Sequence, residues 1–215
     1  MAGGKERVQW KNQLTNMVAI VIGVYLAFAL TNWQNQRDSD ARERKYLESL
    51  DLDLQKDSLL LSEGLQTIKK QNRYISKLIE AVHGMDVSSD SLKVFVNAMF
   101  SQATFHSSNF AFEALVSSGQ VQHIQDVDFL RSLTELYKGR YQDIQDFDNV
   151  GLSNLQQRIS QFAIYGGSVK GYTQDKSFEV WATILISLNG QRTELYEKSL
   201  EQITLLRKTI SKKLK

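Results

Sequence analysis

The chain has 215 residues with 26 basic and 24 acidic side chains, no cysteine and no proline. So even a charge balance argues against a basic face that wraps nucleic acid. Without cysteine there is no disulfide, zinc-thiolate site, iron–sulfur cluster or thiol nucleophile. Roughly ten prolines would be usual at this length, and their absence suits long helices, whose interior hydrogen bonding proline interrupts.

Residues 1–13 read as a short N-terminal tail, and residues 14–33 (LTNMVAIVIGVYLAFALTNW) as a transmembrane helix. Met17 to Leu30 carries no charge, and a helix of this length rises about 30 Å, the thickness of a bilayer core. Trp10 and Trp33 bracket the run as interfacial anchors. A buried core helix is one alternative. A cleaved signal peptide, with Ala27-Phe28-Ala29 as its small-x-small site, is another. Gly23, Ala27 and Thr31 recur every fourth residue, a pattern through which membrane helices associate. Basic residues are nearly tied across the span: Lys5, Arg7 and Lys11 before it, Arg37, Arg42, Arg44 and Lys45 after it. A short tail ahead of a signal-like span is the form of a signal anchor, so the N-terminus is expected inside and the soluble domain outside.

Residues 34–215 are expected to form a helical soluble domain. Gln34 to Val82 reads as a continuation of the span helix. Leu47, Leu54, Leu61, Ile68, Ile75 and Val82 recur every seven residues, and Leu50, Leu65, Leu78 and Ile79 add a second stripe, weakened at Asp57, Gly64 and Gln71. This is the packing face of an intramolecular bundle or, in the sharper reading, a coiled coil between subunits. His83-Gly84 ends the helix. Val87 to Asp90 offers an N-cap for a short helix over Ser91 to Ala103, with Leu92, Phe95, Val96 and Phe100 on one side. Ser107-Ser108 opens another, running through Ser117 and stopped by Gly119, and Gln120 to Gln125 is a linker.

Asp126 can cap a long helix to about Tyr165, bent at Gly151 and closed by Gly166-Gly167. Phe129, Leu130, Leu133, Leu136, Tyr137, Ile144, Phe147, Leu155, Ile159 and Phe162 supply its core face. Thr173 or Asp175 caps a last helix that nearly reaches Lys215. Its buried side is marked by Val180, Ile184, Leu188, Leu195, Ile203, Leu206 and Ile210, with Ser199 a small polar gap. The fold class is therefore all-α: an N-terminal transmembrane helix continuing into a long helix, with an antiparallel helical-bundle soluble domain. The basic end, Arg207, Lys208, Lys212, Lys213 and Lys215, meets lipid headgroups if the last helix runs antiparallel to the first. Otherwise it is a solvated end whose cations suit the helix dipole.

Two stretches carry a family resemblance. The first is Val21-Ile22-Gly23, Ala27, Asn32-Trp33 and Arg37. The second is Phe112-Glu113-Ala114-Leu115-Val116-Ser117-Ser118-Gly119, followed by Ile124, Asp126, Leu130, Leu133 and Tyr137. Together they resemble a family of uncharacterised single-span membrane proteins common in Bacteroidota, with a span ending in Asn-Trp and a central Phe-x-x-Leu-x-Ser-x-Gly segment. Family members often carry a glutamate near the start of the span; this chain has Asn16 there, so no role of that carboxylate carries over. The resemblance implies an envelope location and the N-inside orientation, and no activity. On its own terms, the central segment reads as a tight helix–turn–helix: Phe112 and Leu115 share a face and Gly119 supplies a left-handed cap. The sharper reading makes Phe112, Leu115 and the Ser117-Ser118-Gly119 turn a partner or ligand site, through backbone amides exposed at the turn.

No histidine among His83, His106 and His123 is paired at metal-site spacing, and no nucleophile elbow, phosphate loop or dinucleotide fingerprint is present. The carboxylate pairs Asp51/Asp53 and Asp146/Asp148 read as solvated helix faces, and Asp126/Asp128 as capping residues. No cofactor, metal or catalytic role is expected. The expected function is that of a non-enzymatic, single-span inner-membrane protein. Its periplasmic helical domain would serve assembly or scaffolding, as a homo-oligomer or an accessory subunit of an envelope complex. The alternative is a membrane-anchored sensory or small-ligand module relaying to a partner, with a pocket at Phe110, Phe112 and the Ser-Ser-Gly turn. An oligomeric pore is weaker, because the span holds no ionisable residue. The expected partners are the bilayer and either a second copy or another membrane protein, with no nucleic acid.

Overall fold

The computed structural model describes residues 4–124, 126–162, 171 and 176–215. They form helices α1 (Gly4–Val82), α2 (Ser89–Met99), α3 (Phe110–Ser117), α4 (Val127–Thr134), α5 (Tyr141–Phe162) and α6 (Lys176–Lys213). A 3₁₀ turn covers Gln120–His123, and a π-helical segment covers Glu135–Arg140 between α4 and α5. No strand occurs among the described residues. The chain divides into two compact units, Met1–Tyr46 and Leu47–Lys215.

In the first unit, every residue from 12 to 38 is exposed. Among the described residues, α1 alone is long and apolar enough to cross a membrane, and none of its most apolar stretch is buried. A soluble protein would cover such a surface with a second element, so the uncovered run suits lipid contact.

The second unit is a helical bundle. The seven-residue seam of α1 is its core: Leu47, Leu50, Leu54, Leu61, Ile68, Ile75 and Leu78 are buried within this one chain. The seam is therefore not available for a coiled coil with another subunit, and the intramolecular reading holds. Helix α6 lies antiparallel to α1. Asp51 pairs with Arg207 at 2.8 Å, the Tyr196 ring covers Gly64, Asn189 bonds Gln71, and Phe178 and Trp181 join Ile75 and Leu78 in one cluster. Helix α6 also runs antiparallel to α4 and α5, through Lys213–Asp126, Gln202–Ser132 and Arg192–Asp148.

Several boundaries differ from the sequence expectation for identifiable reasons. Helix α2 starts from Ser88, whose hydroxyl accepts the Ser91 N–H, and stops at Met99 rather than Ala103. The Gln71 amide draws the Ala98 and Ser101 carbonyls toward α1 there, out of helical continuation. Helix α3 starts at Phe110 rather than Ser107, because the Ser108 N–H is taken by Asp57. Asp126 caps α4 through the Phe129 N–H as expected, but the long helix then passes through the π-helical segment. Gly151 sits inside α5 as a point of close approach: a Cβ there would lie 2.6 Å from Gln102 Nε2. The expected closing pair Gly166-Gly167 and the caps Thr173 and Asp175 lie outside the described residues, as do the side chains of Ile159 and Phe162.

The buried face of α6 also corrects the expectation. Val180 and Ile184 are exposed, and Leu188 and Leu195 only half-buried. The true face passes through Phe178, Trp181, Ala182, Asn189, Arg192, Tyr196, Ser199, Ile203, Leu206 and Ile210. Its middle is polar, and a stripe drawn through apolar residues alone drifts off it.

Candidate functional site

The central motif helix α3 is held by carboxylates from another helix. Its own N-cap, Asn109, makes no side-chain cap bond. Instead, Asp57 Oδ1 accepts the Ser108 N–H at 2.7 Å and Asp53 Oδ2 accepts the Ala111 N–H at 2.9 Å. The two aspartates lie four apart on α1 and so share one face. They satisfy amides that a helix start leaves orphaned and place negative charge at the positive end of its dipole.

Aromatic rings complete the clamp. Phe112 stacks flat on Tyr137, with centroids 4.6 Å apart, and Tyr137 meets Tyr141 edge-on at 5.2 Å. Tyr141 in turn meets Phe105, which contacts Tyr196. Tyr137 lies in the π-helical segment and Tyr141 directly follows it. The wider helical turn there turns both rings toward α1 and α3.

This site encloses a buried acid. Asp57 is fully buried, and burial pushes its carboxyl up to about 6, partly opposed by the Ser108 N–H and by Tyr141. Burial, then the nearby Asp57 charge, also raises the Tyr137 and Tyr141 hydroxyls. The Tyr141 hydroxyl interacts with the Asp57 carboxyl, whereas the Tyr137 hydroxyl is buried without a hydrogen-bond partner. A buried acid and a buried unpaired hydroxyl are costly, so the clamp positions α3 at the expense of local stability.

The predicted site residues separate into different environments. Phe112 and Leu115 are buried core and cannot touch a partner directly. Ser117 and Ser118 turn their hydroxyls onto the Ala114 and Leu115 carbonyls. The Ser118 and Gly119 N–H groups bond to Ala114 and Val116 carbonyls, so the turn does not offer free amides to a ligand. Gly119 has the expected left-handed φ of 68°. Phe110 is 80% exposed while Phe112 is buried, so the two do not line a common pocket. What α3 presents outward is Phe110, Glu113, Val116 and Ser117.

In the span, a Cβ added at Gly23 would meet nothing within 4 Å, and Thr31 donates its hydroxyl to the Ala27 carbonyl at 2.9 Å. The face of Gly23, Ala27 and Thr31 is thus open and self-satisfied. Trp10 and Trp33 are exposed, and the Arg37 guanidinium lies 4.8 Å from the Trp33 ring centre. At the basic end, Arg207 pairs with Asp51 and Lys213 with Asp126, while Lys208, Lys212 and Lys215 are exposed.

The carboxylates read as solvated are not all so. Asp148 is buried, 2.9 Å from the buried Arg192, and accepts the Phe105 N–H. Asp51 and Asp53 are engaged as described. Only spacing marks Asp57, Asp148 and Arg192 as interior: Asp57 lies seven residues after Leu50, Asp148 seven after Tyr141 and Arg192 seven before Ser199, and their residue types hide it. His83 bonds Glu179 at 2.9 Å, and His106 is exposed. Among the described residues no three metal-ligating side chains gather.

The model of a family of unknown function, DUF6090, matches residues 16–150, which include most of the span, α3 and the aspartate–tyrosine clamp. No curated protein and no solved structure matches the chain.

Proposed function

The chain belongs to the DUF6090 family, and from that premise we propose a non-enzymatic role: a single-span inner-membrane protein whose periplasmic helical domain serves assembly or scaffolding. The observation that carries this reading is α1 itself. It bears an apolar run uncovered on every side and then supplies the central seam of the bundle. One helix thus holds both the anchor and the core of the domain. Supporting a partner, the pinned helix α3 turns the apolar Phe110 and Val116 to solvent, and the open Gly23–Ala27 face of the span permits close helix approach.

The protein acts as an accessory subunit of an envelope complex or as a homo-oligomer. Crosslinking in native membranes, followed by purification in mild detergent, separates the two. A stoichiometric partner establishes the accessory role, and self-crosslinks alone establish the homo-oligomer. A lone monomer that retains nothing overturns the proposal.

A further inference from the structure

Within the second unit, the face of α1 that turns away from the bundle is left uncovered. On it Leu52 and Leu59 are 67% and 60% exposed, and Lys56 and Glu63 follow them one helical turn on, both exposed. Helix α6 carries a similar outward face, where Leu205 is 58% exposed and Glu201 and Lys198 stand out beside it. Among the described residues Lys56, Glu63 and Glu201 meet no opposite charge, and Lys198 pairs only along its own helix, with Glu194.

The two faces match in order and in height. Asp51–Arg207, Gly64–Tyr196 and Gln71–Asn189 set the antiparallel register of α1 and α6. In that register Leu205 stands level with Leu52, Glu201 with Lys56 and Lys198 with Glu63, each to about two residues or 3 Å of helix rise. Leucine is thus level with leucine, and each charge with its opposite. Within one chain these faces cannot meet. At about 100° per residue, both are turned roughly 80–180° from the Asp51–Arg207 contact, onto the far flanks of the two helices. A second copy is what brings them together. Copies held in one bilayer carry α1 in the same sense, so α1 of one meets α6 of the next antiparallel, with no shift in height.

We propose that the outward faces of α1 and α6 join neighbouring copies of this chain head to tail, with Leu52 against Leu205, Lys56 against Glu201 and Glu63 against Lys198. Each copy gives its α1 face to one neighbour and its α6 face to another, a contact that closes a ring or extends as a row. A single helix pair falls below the roughly 1,200 Å² of a stable soluble complex, and the shared membrane offsets this by raising the effective concentration. The inference rests on the homo-oligomer form of the role proposed above and names its contact.

The chain has no cysteine, so Leu52→Cys and Leu205→Cys are placed singly in two differently tagged full-length copies expressed together. Native membranes are then treated with a short bifunctional thiol reagent. The expected product is a mixed dimer, with each variant expressed alone giving severalfold less. Lys56→Glu, at an exposed position, sets like charges opposite each other. Carried by both copies, it is expected to cut the mixed dimer about threefold or more with the melting temperature kept, and adding Glu201→Lys to both copies restores the dimer. Absence of the mixed dimer while an amine-directed crosslinker still joins copies overturns this contact and leaves the homo-oligomer standing. Absence of every self-crosslink overturns both. Leu52→Cys linking to itself as readily as to Leu205→Cys, or no recovery in the doubly reversed chain, overturns the head-to-tail pairing.

Discussion

Asp57, on the long first helix, holds the Ser108 N–H at 2.7 Å, across 51 residues of sequence. The same carboxyl titrates near pH 6 because burial disfavours its charge. A folded pKa above the unfolded value means that the native state binds the proton more tightly. Stability from this group is full below the unfolded value of 3.8 and declines as pH rises through 6. The loss amounts to about 3 kcal/mol. Asp57→Asn keeps an oxygen for the Ser108 N–H and removes the titration. Thermal unfolding in detergent is expected to show the wild type losing stability between pH 4 and about 7 relative to the variant, with the variant the more stable at pH 8. Parallel pH profiles would remove Asp57 as the cause.

Two glycines of the bundle should respond in opposite directions. A Cβ at Gly64 would lie 2.5 Å from the buried Tyr196 ring, so Gly64→Ala is expected to cost about 1–3 kcal/mol by overpacking. At Gly190, within α6, nothing lies within 4 Å. Gly190→Ala is expected to gain about 0.5–1 kcal/mol. Melting temperatures of the two variants check both signs.

Self-association through the span, if it uses the small-residue face, fails when that face is filled. Gly23→Leu meets no neighbour within the chain, so the bundle should melt as in the wild type. Loss of self-crosslinks with an unchanged melting temperature is the expected result. Unchanged crosslinking would place any self-contact elsewhere.

The basic end contains two kinds of cation. Arg207 is tied to Asp51, and Arg207→Gln should cost about 0.5–1 kcal/mol, the upper range for a partly exposed pair. Lys208, Lys212 and Lys215 are exposed. In nanodiscs they should react more slowly with an amine-directed label when the lipid is anionic than when it is zwitterionic. Equal rates would make this a solvated helix end.

The apolar periodicity made much of the fold legible. The seam from Leu47 to Leu78, the stop at Gly84, the Asp126 cap and the left-handed Gly119 all follow from local rules, and the structure places them as expected. What escaped was polar and long-range. Asp57 and Gln71 looked like weak points of the seam but are buried and bonded across the core. Gly64 looked like a gap, yet it makes room for Tyr196. Asn189 and Arg192 occupy the core line of α6, which pattern reading traced through the exposed Val180 and Ile184 instead. A single chain shows which residues are apolar; it does not show which polar residue has found its partner a hundred residues away.

The antiparallel closure of α6 on α1 sets an order of events during synthesis. Asp51 and Arg207 are 156 residues apart. At ribosomal speeds of about 5–20 residues per second, some 8–30 s separate the two. Through that interval the leucine seam of α1 has left the ribosome without the helix that covers it. The nascent domain therefore carries uncovered apolar surface through that interval, and a truncation that removes Leu206 and Ile210 should yield a degraded anchor rather than a shorter protein.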